Sequence, residues 1–290
     1  MGESLAIALT GLQQGTIIYR PNRFVAVVRL GDQEFLAHVA DSGRLKELLF
    51  PGNQVMVRKA GRAGAPATVP ADCSQRKTPY DLVLASARTA ASSNTAVHDR
   101  SGKPIWVSVD TRYPNQIFGQ ALRARAICEV DGGGEVRSEY WYHHLSPWKE
   151  EVEREALQGA AVSRAVRSRM DFFLGGVPGA SPGLVEVKSV TLCREGIGFF
   201  PDATTDRGTR HLRELMRGVK EGYRAYAVFI AQREDIGVVK PNREMDPAFA
   251  DALKEAQDSG VRLLGFRCSV TPTEIRLDPR AIPVDARADR

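Results

Sequence analysis

The sequence predicts an α/β chain in two parts: an all-β barrel over residues 1–85 and an α+β domain with a mixed sheet over residues 86–290. Three observations predict it. The N-terminal part is made of short alternating or apolar runs separated by turn signals. The C-terminal part alternates strand-like and helix-like segments at the spacing of parallel crossover units. Stretches 61–75 and 86–103 are rich in Gly, Ala, Pro and Ser and read as loops.

The barrel elements are "TIIYR", "RFVAVVRL", "QEFLAHVAD" and "QVMVRKA", broken by "PN", "GDQ" and "PGN" turns. Between the third and fourth, "GRLKELLFPG" spaces Leu45, Leu48 and Leu49 as one or two helical turns would. Several short strands with one small helix make the OB-fold the natural candidate. Lys46 and Arg58, with Lys59 and Arg62, could furnish a phosphate-tracking surface. The competing reading is that they are solvated strand faces.

In the second part "KPIWVSVD" is a strand, and "PNQIFGQALRARAIC" is a helix entered through Pro114. "SPWKEEVEREALQGAAVSRAV" is a further helix with Ser146 as N-cap and Pro147 in its first position. "RMDFFL" and "LVEVKSVTL" are strands joined by the Gly/Pro-rich "GGVPGASPG". Helix "RGTRHLRELMRGVKEG", central strand "AYAVFIAQ", helix "DPAFADALKEAQDSG" and strand "VRLLGFRCSV" follow, the last helix capped by Asp246, opened by Pro247 and closed by Gly260.

Composition narrows the function classes. The chain is 43% hydrophobic and 26% charged, with no apolar run long enough to span a membrane. Its start lacks a basic n-region and a cleavage site, so no secretory signal is expected. The four cysteines are scattered, with no C-x-x-C pair, which suits reduced thiols in the cytoplasm and excludes a zinc ribbon or disulfide framework. A formal charge of +5 and a pI near 9.1, mostly from arginine, favour an acidic polymer as partner.

Three motifs are set aside. "GASPG" imitates a nucleophile elbow around Ser181, but Pro182 has no N–H where the oxyanion hole needs one. "SPWK" is explained by helix capping. His143 and His144 have no ligand partner at zinc spacing.

Asp171, Glu186 and Lys188 remain. Strand alternation puts Glu186 and Lys188 on one face and Val185 and Val187 on the other. Antiparallel pairing of "RMDFFL" with "LVEVKSV" brings Asp171 beside Glu186. Two carboxylates on adjoining strands suit Mg²⁺ or Mn²⁺, and a metal-activated water could attack a phosphate, with Lys188 orienting it. The triplet Glu-x-Lys alone is no rarer than chance. The next helix adds support: Leu212, Leu215, Met216 and Val219 form an apolar stripe. Arg207, Arg210, Arg213, Arg217 and Lys220 lie opposite, and His211 sits at the boundary. A solvated amphipathic helix is the bland alternative, since Glu214 stands among the arginines.

Taken in order, "RFVAVVRL", "HVADSGRLKELLFPG", "RKTPYDLV", "VSVDTRYPNQI", "RMDFFL", "VEVKSVTL", "FPDATTDRGTRHLREL" and "GVVKPNREMDPAFADAL" resemble the sugar fermentation stimulation protein family over nearly the whole chain. The resemblance implies an N-terminal OB-like β-barrel and a C-terminal PD-(D/E)XK nuclease-like domain. It also implies non-specific DNA binding linked to regulation of maltose and other sugar genes. Asp171 matches that superfamily's metal-binding Asp, with Met170 in place of the motif's proline. Glu186 matches its second ligand and Lys188 its lysine, while Arg207 and His211 fall in the helix after "FPDATT". Many relatives bring a Glu from the first core helix. Here Asn115 to Cys128 holds no acidic residue, and Asn115, Gln116 and Gln120 are the stand-ins. Residues 131–165 are longer than the family pattern.

Three readings stay open. The first is a DNA-binding protein, with RNA or single strands as further partners and no membrane, retaining a Mg²⁺-dependent nuclease site. In it Asp171 and Glu186 bind metal, Lys188 positions water, and Arg207 and Arg210 hold phosphate. The second is a binding regulator without turnover, and the third an enzyme acting on a small phosphorylated molecule.

Overall fold

The alternating N-terminal runs form β2 (Leu12–Asn22), β3 (Val25–Leu30), β4 (Gln33–Val39) and β5 (Gln54–Lys59), joined by β6 (Tyr80–Ser86). The computed structural model describes residues 5–61, 77–87, 102, 104–130, 134–142, 169–175 and 179–287. The strand order β4-β3-β2-β5-β6, with β4 and β6 also paired in parallel, closes five strands into an OB barrel. Ile17, Val28, Val39, Val55, Val57 and Leu82 fill it. The expected small helix is a single turn, closed by Leu49 N–H onto the Leu45 carbonyl at 2.8 Å. Leu45, Leu48 and Leu49 plug the barrel as their spacing predicts. β6 escapes the alternation rule because Asp81 through Ser86 are all buried, which removes the polar face that marks a strand.

Pairing crosses the expected divide at residues 85 and 86. β7 (Trp106–Ser108) adds to the far edge of β6. β1 (Ala6–Ala8) leaves the barrel and pairs with β16 (Glu274–Leu277) in the second sheet.

That second sheet is mixed. Among the described residues its order is β1, β16, β15 (Arg262–Val270), β13 (Arg224–Ala231), β10 (Gly183–Val190), β9 (Arg169–Gly175) and β8 (Glu135–Trp141). β10, β13 and β15 run parallel, whereas β9 is antiparallel to β10. One face is covered by α1 (Arg112–Arg123), whose Ile117, Phe118 and Leu122 pack on Val185, Val187 and Val228. The other is covered by α2 (Asp206–Lys220) and α3 (Pro247–Asp258), whose Leu212, Leu215, Phe249 and Leu253 pack on Leu184, Ala227 and Phe229. A small sheet of β11 (Leu192–Arg194), β12 (Ile197–Phe200) and β14 (Val238–Pro241) projects from the end of β10.

α1 ends earlier than the sequence predicts. After Arg123 the chain turns at Arg125, whose φ is 54°, and brings Ile127 and Val130 into the same core. The helix expected over 146–166, Ser146 and Pro147, and His143 and His144 lie outside the described residues.

Candidate metal centre and its cleft

β10 places Glu186 and Lys188 in the middle of the sheet, opposite Ala227 and Phe229 of β13. The alternation holds: Val185 and Val187 join the core under α1, and the charged pair faces α2. Neither charged side chain is solvated. Glu186 is 4% exposed and Lys188 8%. Burying a carboxylate and an ammonium on a strand is costly unless each is paired and hydrogen-bonded, so partners must be present, and they are.

Lys188 Nζ donates to Glu186 Oε1 at 2.6 Å. His211 Nδ1 meets the same oxygen from α2, and Arg207 Nε lies 3.5 Å from His211 Nε2. One tautomer serves both contacts, with Nδ1–H donating to Glu186 and Nε2 accepting from Arg207. Burial pushes the Glu186 carboxyl upward, but Lys188 and the His211 bond outweigh it and hold the group below its ordinary range. Glu186 Oε2 is buried and has no hydrogen-bond partner among the described residues.

Asp171 stands where β9 parts from β10. Strand pairing ends at Val185 opposite Phe172, and beyond it the Asp171 carboxylate substitutes for backbone: its Oδ2 accepts from Val187 N–H at 2.7 Å. Its Oδ1 accepts from Asn115 Nδ2 of α1 at 2.6 Å. Burial, then the neighbouring Glu186 charge, pushes Asp171 up to about 6.

These groups lie in a cleft of about 420 Å³. One wall is the barrel loop Asp41, Ser42 and Gly43, and the other runs from Phe199 to Thr205, with Arg23 and Arg207 also lining the void. The walls meet at Asp202, whose Oδ2 accepts from Leu45 N–H at 3.1 Å. A Cβ on Gly43 would come within 2.4 Å of Asp202 Oδ1, so a side chain there would displace the Asp202 carboxylate. Burial, followed by nearby Asp202, pushes Asp41 up to about 7, although Gly43 N–H donates to it.

The sequence candidates therefore separate. Asp171, Glu186 and Lys188 converge, and Arg207 lines the same cleft. Arg210 and Arg213 are exposed along α2, and Lys46 is exposed on the barrel. Arg217 is half-buried and bridges Glu221 at 3.0 Å. Two placements need correction. His211 is 2% exposed and turned onto Glu186, so it cannot meet phosphate at the surface. Arg58 is 2% exposed, in register with buried Asp81 of β6 and close to Tyr113 of α1. Its strand face is covered by α1, which no pattern within the barrel sequence reveals. The cleft residues Asp41, Gly43 and Asp202 carried no local chemical signature; they sit in "HVADSGRL" and "FPDATT", stretches distinctive only as part of the longer resemblance.

The residues that could hold a hard divalent cation here are Asp171 and Glu186. The Glu186 charge helps to raise Asp171, and the buried Glu186 Oε2 is open, although no group of three or more His, Cys, Asp or Glu side chains gathers at ligand spacing among the described residues.

Comparison with known proteins accords with this architecture. The family model described as "SfsA N-terminal OB domain" matches residues 18–93, and "Sugar fermentation stimulation protein RE domain" matches residues 112–274. A sugar fermentation stimulation protein homolog from Moorella thermoacetica is 39% identical over 266 residues, covering 92% of this chain and 94% of that protein. One from Symbiobacterium thermophilum is 40% identical over 265 residues, covering 89% of each. The solved structure of Pyrococcus furiosus SfsA, described in complex with Ca²⁺, shares the fold with a TM-score of 0.70 at 24% identity, over 98% of this chain and 99% of that one. With both halves matched by family models and close to two-fifths of its residues shared with these bacterial homologs, the chain belongs to the sugar fermentation stimulation protein family.

Proposed function

We propose that this protein binds DNA in the cytoplasm and hydrolyses a phosphodiester bond at Asp171, Glu186 and Lys188 with Mg²⁺ or Mn²⁺. The observation that carries the reading is the open, buried Glu186 Oε2 beside Asp171, at the floor of a cleft with Arg207 on its rim. An oxygen desolvated in this way costs free energy unless a cation or donor meets it.

When bound, the metal lowers the pKa of a water and neutralises charge on the phosphate. The remaining work falls to the chain. Asp171, fixed by Val187 N–H and Asn115, and Glu186, fixed by His211 and Lys188, present oxygens toward the cleft. Lys188 Nζ orients the attacking water. The water gives up a proton to solvent as its oxygen bonds to phosphorus, the bond to the leaving oxygen breaks, and that oxygen takes up a proton from solvent. Arg207, lining the cleft, holds the non-bridging oxygens, and Arg210, exposed further along α2, holds a flanking phosphate. Free thiols at Cys128, Cys193 and Cys268 support the cytoplasmic placement.

One observation favours a second reading, a DNA-binding regulator without turnover: α1 offers the neutral Asn115 rather than a carboxylate to Asp171. A cleavage assay on single- and double-stranded DNA with Mg²⁺, Mn²⁺ or chelator decides between them. Hydrolysis is expected with metal, none with chelator, and a loss of about a hundredfold or more in Lys188→Ala. Hydrolysis that survives Lys188→Ala at the wild-type rate overturns the assignment, and binding without cleavage of any DNA leaves the regulator.

A further inference from the structure

The shape of the cleft restricts which form of nucleic acid can reach its floor. Glu186 and Lys188 are buried there, between a barrel loop and a wall of the second domain that are joined through Asp202. A void of 420 Å³ equals a cube about 7.5 Å on edge, a slot on the scale of one strand and not of a base-paired helix. A single strand therefore reaches the buried carboxylate with less distortion than a duplex.

The rim points the same way. Arg23 lines the cleft, and the next residue, Phe24, is 48% exposed. Their turn is held firmly: Phe24 N–H donates to Asn22 Oδ1 at 2.9 Å, and Val39 N–H donates to the Phe24 carbonyl at 2.9 Å. Arg23 donates to the Ser42 carbonyl of the cleft wall at 3.3 Å, and Arg20 to the Arg23 carbonyl at 2.6 Å. Further along the outer surface, Tyr19, Val27 and Leu36 stand in one cross-strand row, with Tyr19 and Leu36 exposed. β3 and β4 are the second and third barrel strands, the face on which OB barrels take oligonucleotides. An exposed ring beside an arginine on a rigid turn suits an unpaired base and its phosphate. Bases inside a duplex offer no free face to stack on.

We propose that the substrate is a single polynucleotide strand, one base stacked on Phe24, its phosphate at Arg23, and the following backbone laid in the slot between Gly43 and Phe200. This rests on the phosphodiester reading above. The test is fluorescence anisotropy of a labelled oligothymidylate and a blunt duplex of equal length, at one low salt concentration with Ca²⁺ as the only divalent ion. The single strand is expected to bind about tenfold tighter or more. Phe24→Ala is expected to weaken it about fivefold or more, Phe24→Trp to restore it, and duplex binding to respond to neither. Equal affinity for strand and duplex, or an unchanged affinity in Phe24→Ala, overturns the strand path. Cleavage in Mg²⁺ separates the two ideas. Strand and duplex cut at equal rates would sink the strand path and leave hydrolysis standing. Strand binding that needs Phe24, without cleavage, would sink hydrolysis and leave the path.

Discussion

Glu186 receives Lys188 and His211 on one oxygen and leaves the other open, and the proposed cation site rests on this asymmetry. Asn115 tests the point from the other side. Asn115→Asp replaces a donor to Asp171 with a third carboxylate, so it is expected to lower the melting temperature in chelator and to tighten Mn²⁺ binding by about tenfold, measured by calorimetry. Asp41 gives a pH signature. Its folded pKa is raised to about 7 by burial, so the folded state favours its protonated form and the associated stability is lost as pH rises from about 4 to about 7. Asp41→Asn, which keeps an acceptor for Gly43 N–H, is expected to raise the melting temperature at pH 8 and to gain little near pH 4. An equal shift at both pH values would contradict the burial argument.

At the scale of elements, the caps show why α2 and α3 begin where they do. The Thr205 side chain accepts from Gly208 N–H at 3.0 Å, and Asp246 Oδ1 accepts from Phe249 N–H at 2.9 Å. Asp246 Oδ2 also accepts from Thr205 N–H at 2.8 Å, so one carboxylate pins the starts of both helices. Asp246→Ala is therefore expected to cost about 1–2 kcal/mol in denaturant unfolding and to reduce turnover by loosening the α2 residues Arg207 and His211. The capping of α3 was legible in the sequence because a cap is a local event. So was the side of β10 on which Glu186 stands, because strand alternation is local too. The burial of that side was not, since it depends on α2 folding back over the strand. β6 is hidden from the sequence for a related reason: covered on both faces, it carries no alternation.

Across the whole molecule, the OB barrel and mixed sheet were legible from the succession of short runs and crossover spacings. The cleft was not, because its walls come from residues near 42 and near 202 that only long-range docking brings together. The arginines proposed to meet phosphate are spread over the same scale, from Arg23 on the barrel to Arg207, Arg210 and Arg213 on α2. Affinity for DNA is expected to fall steeply with salt, and each Arg→Ala in the α2 set to reduce the slope of log affinity against log salt by about 1. A slope unchanged in all three variants would remove α2 from the DNA-binding surface.

The claim that a divalent ion belongs between Asp171 and Glu186 is tested most directly by calorimetric titration of the metal-free protein with Mn²⁺. The expected result is one ion bound per chain in the wild type, with binding lost in Glu186→Ala and in Asp171→Ala while both variants keep a cooperative thermal unfolding transition. Unchanged Mn²⁺ binding in these folded variants, or none in the wild type, would contradict it.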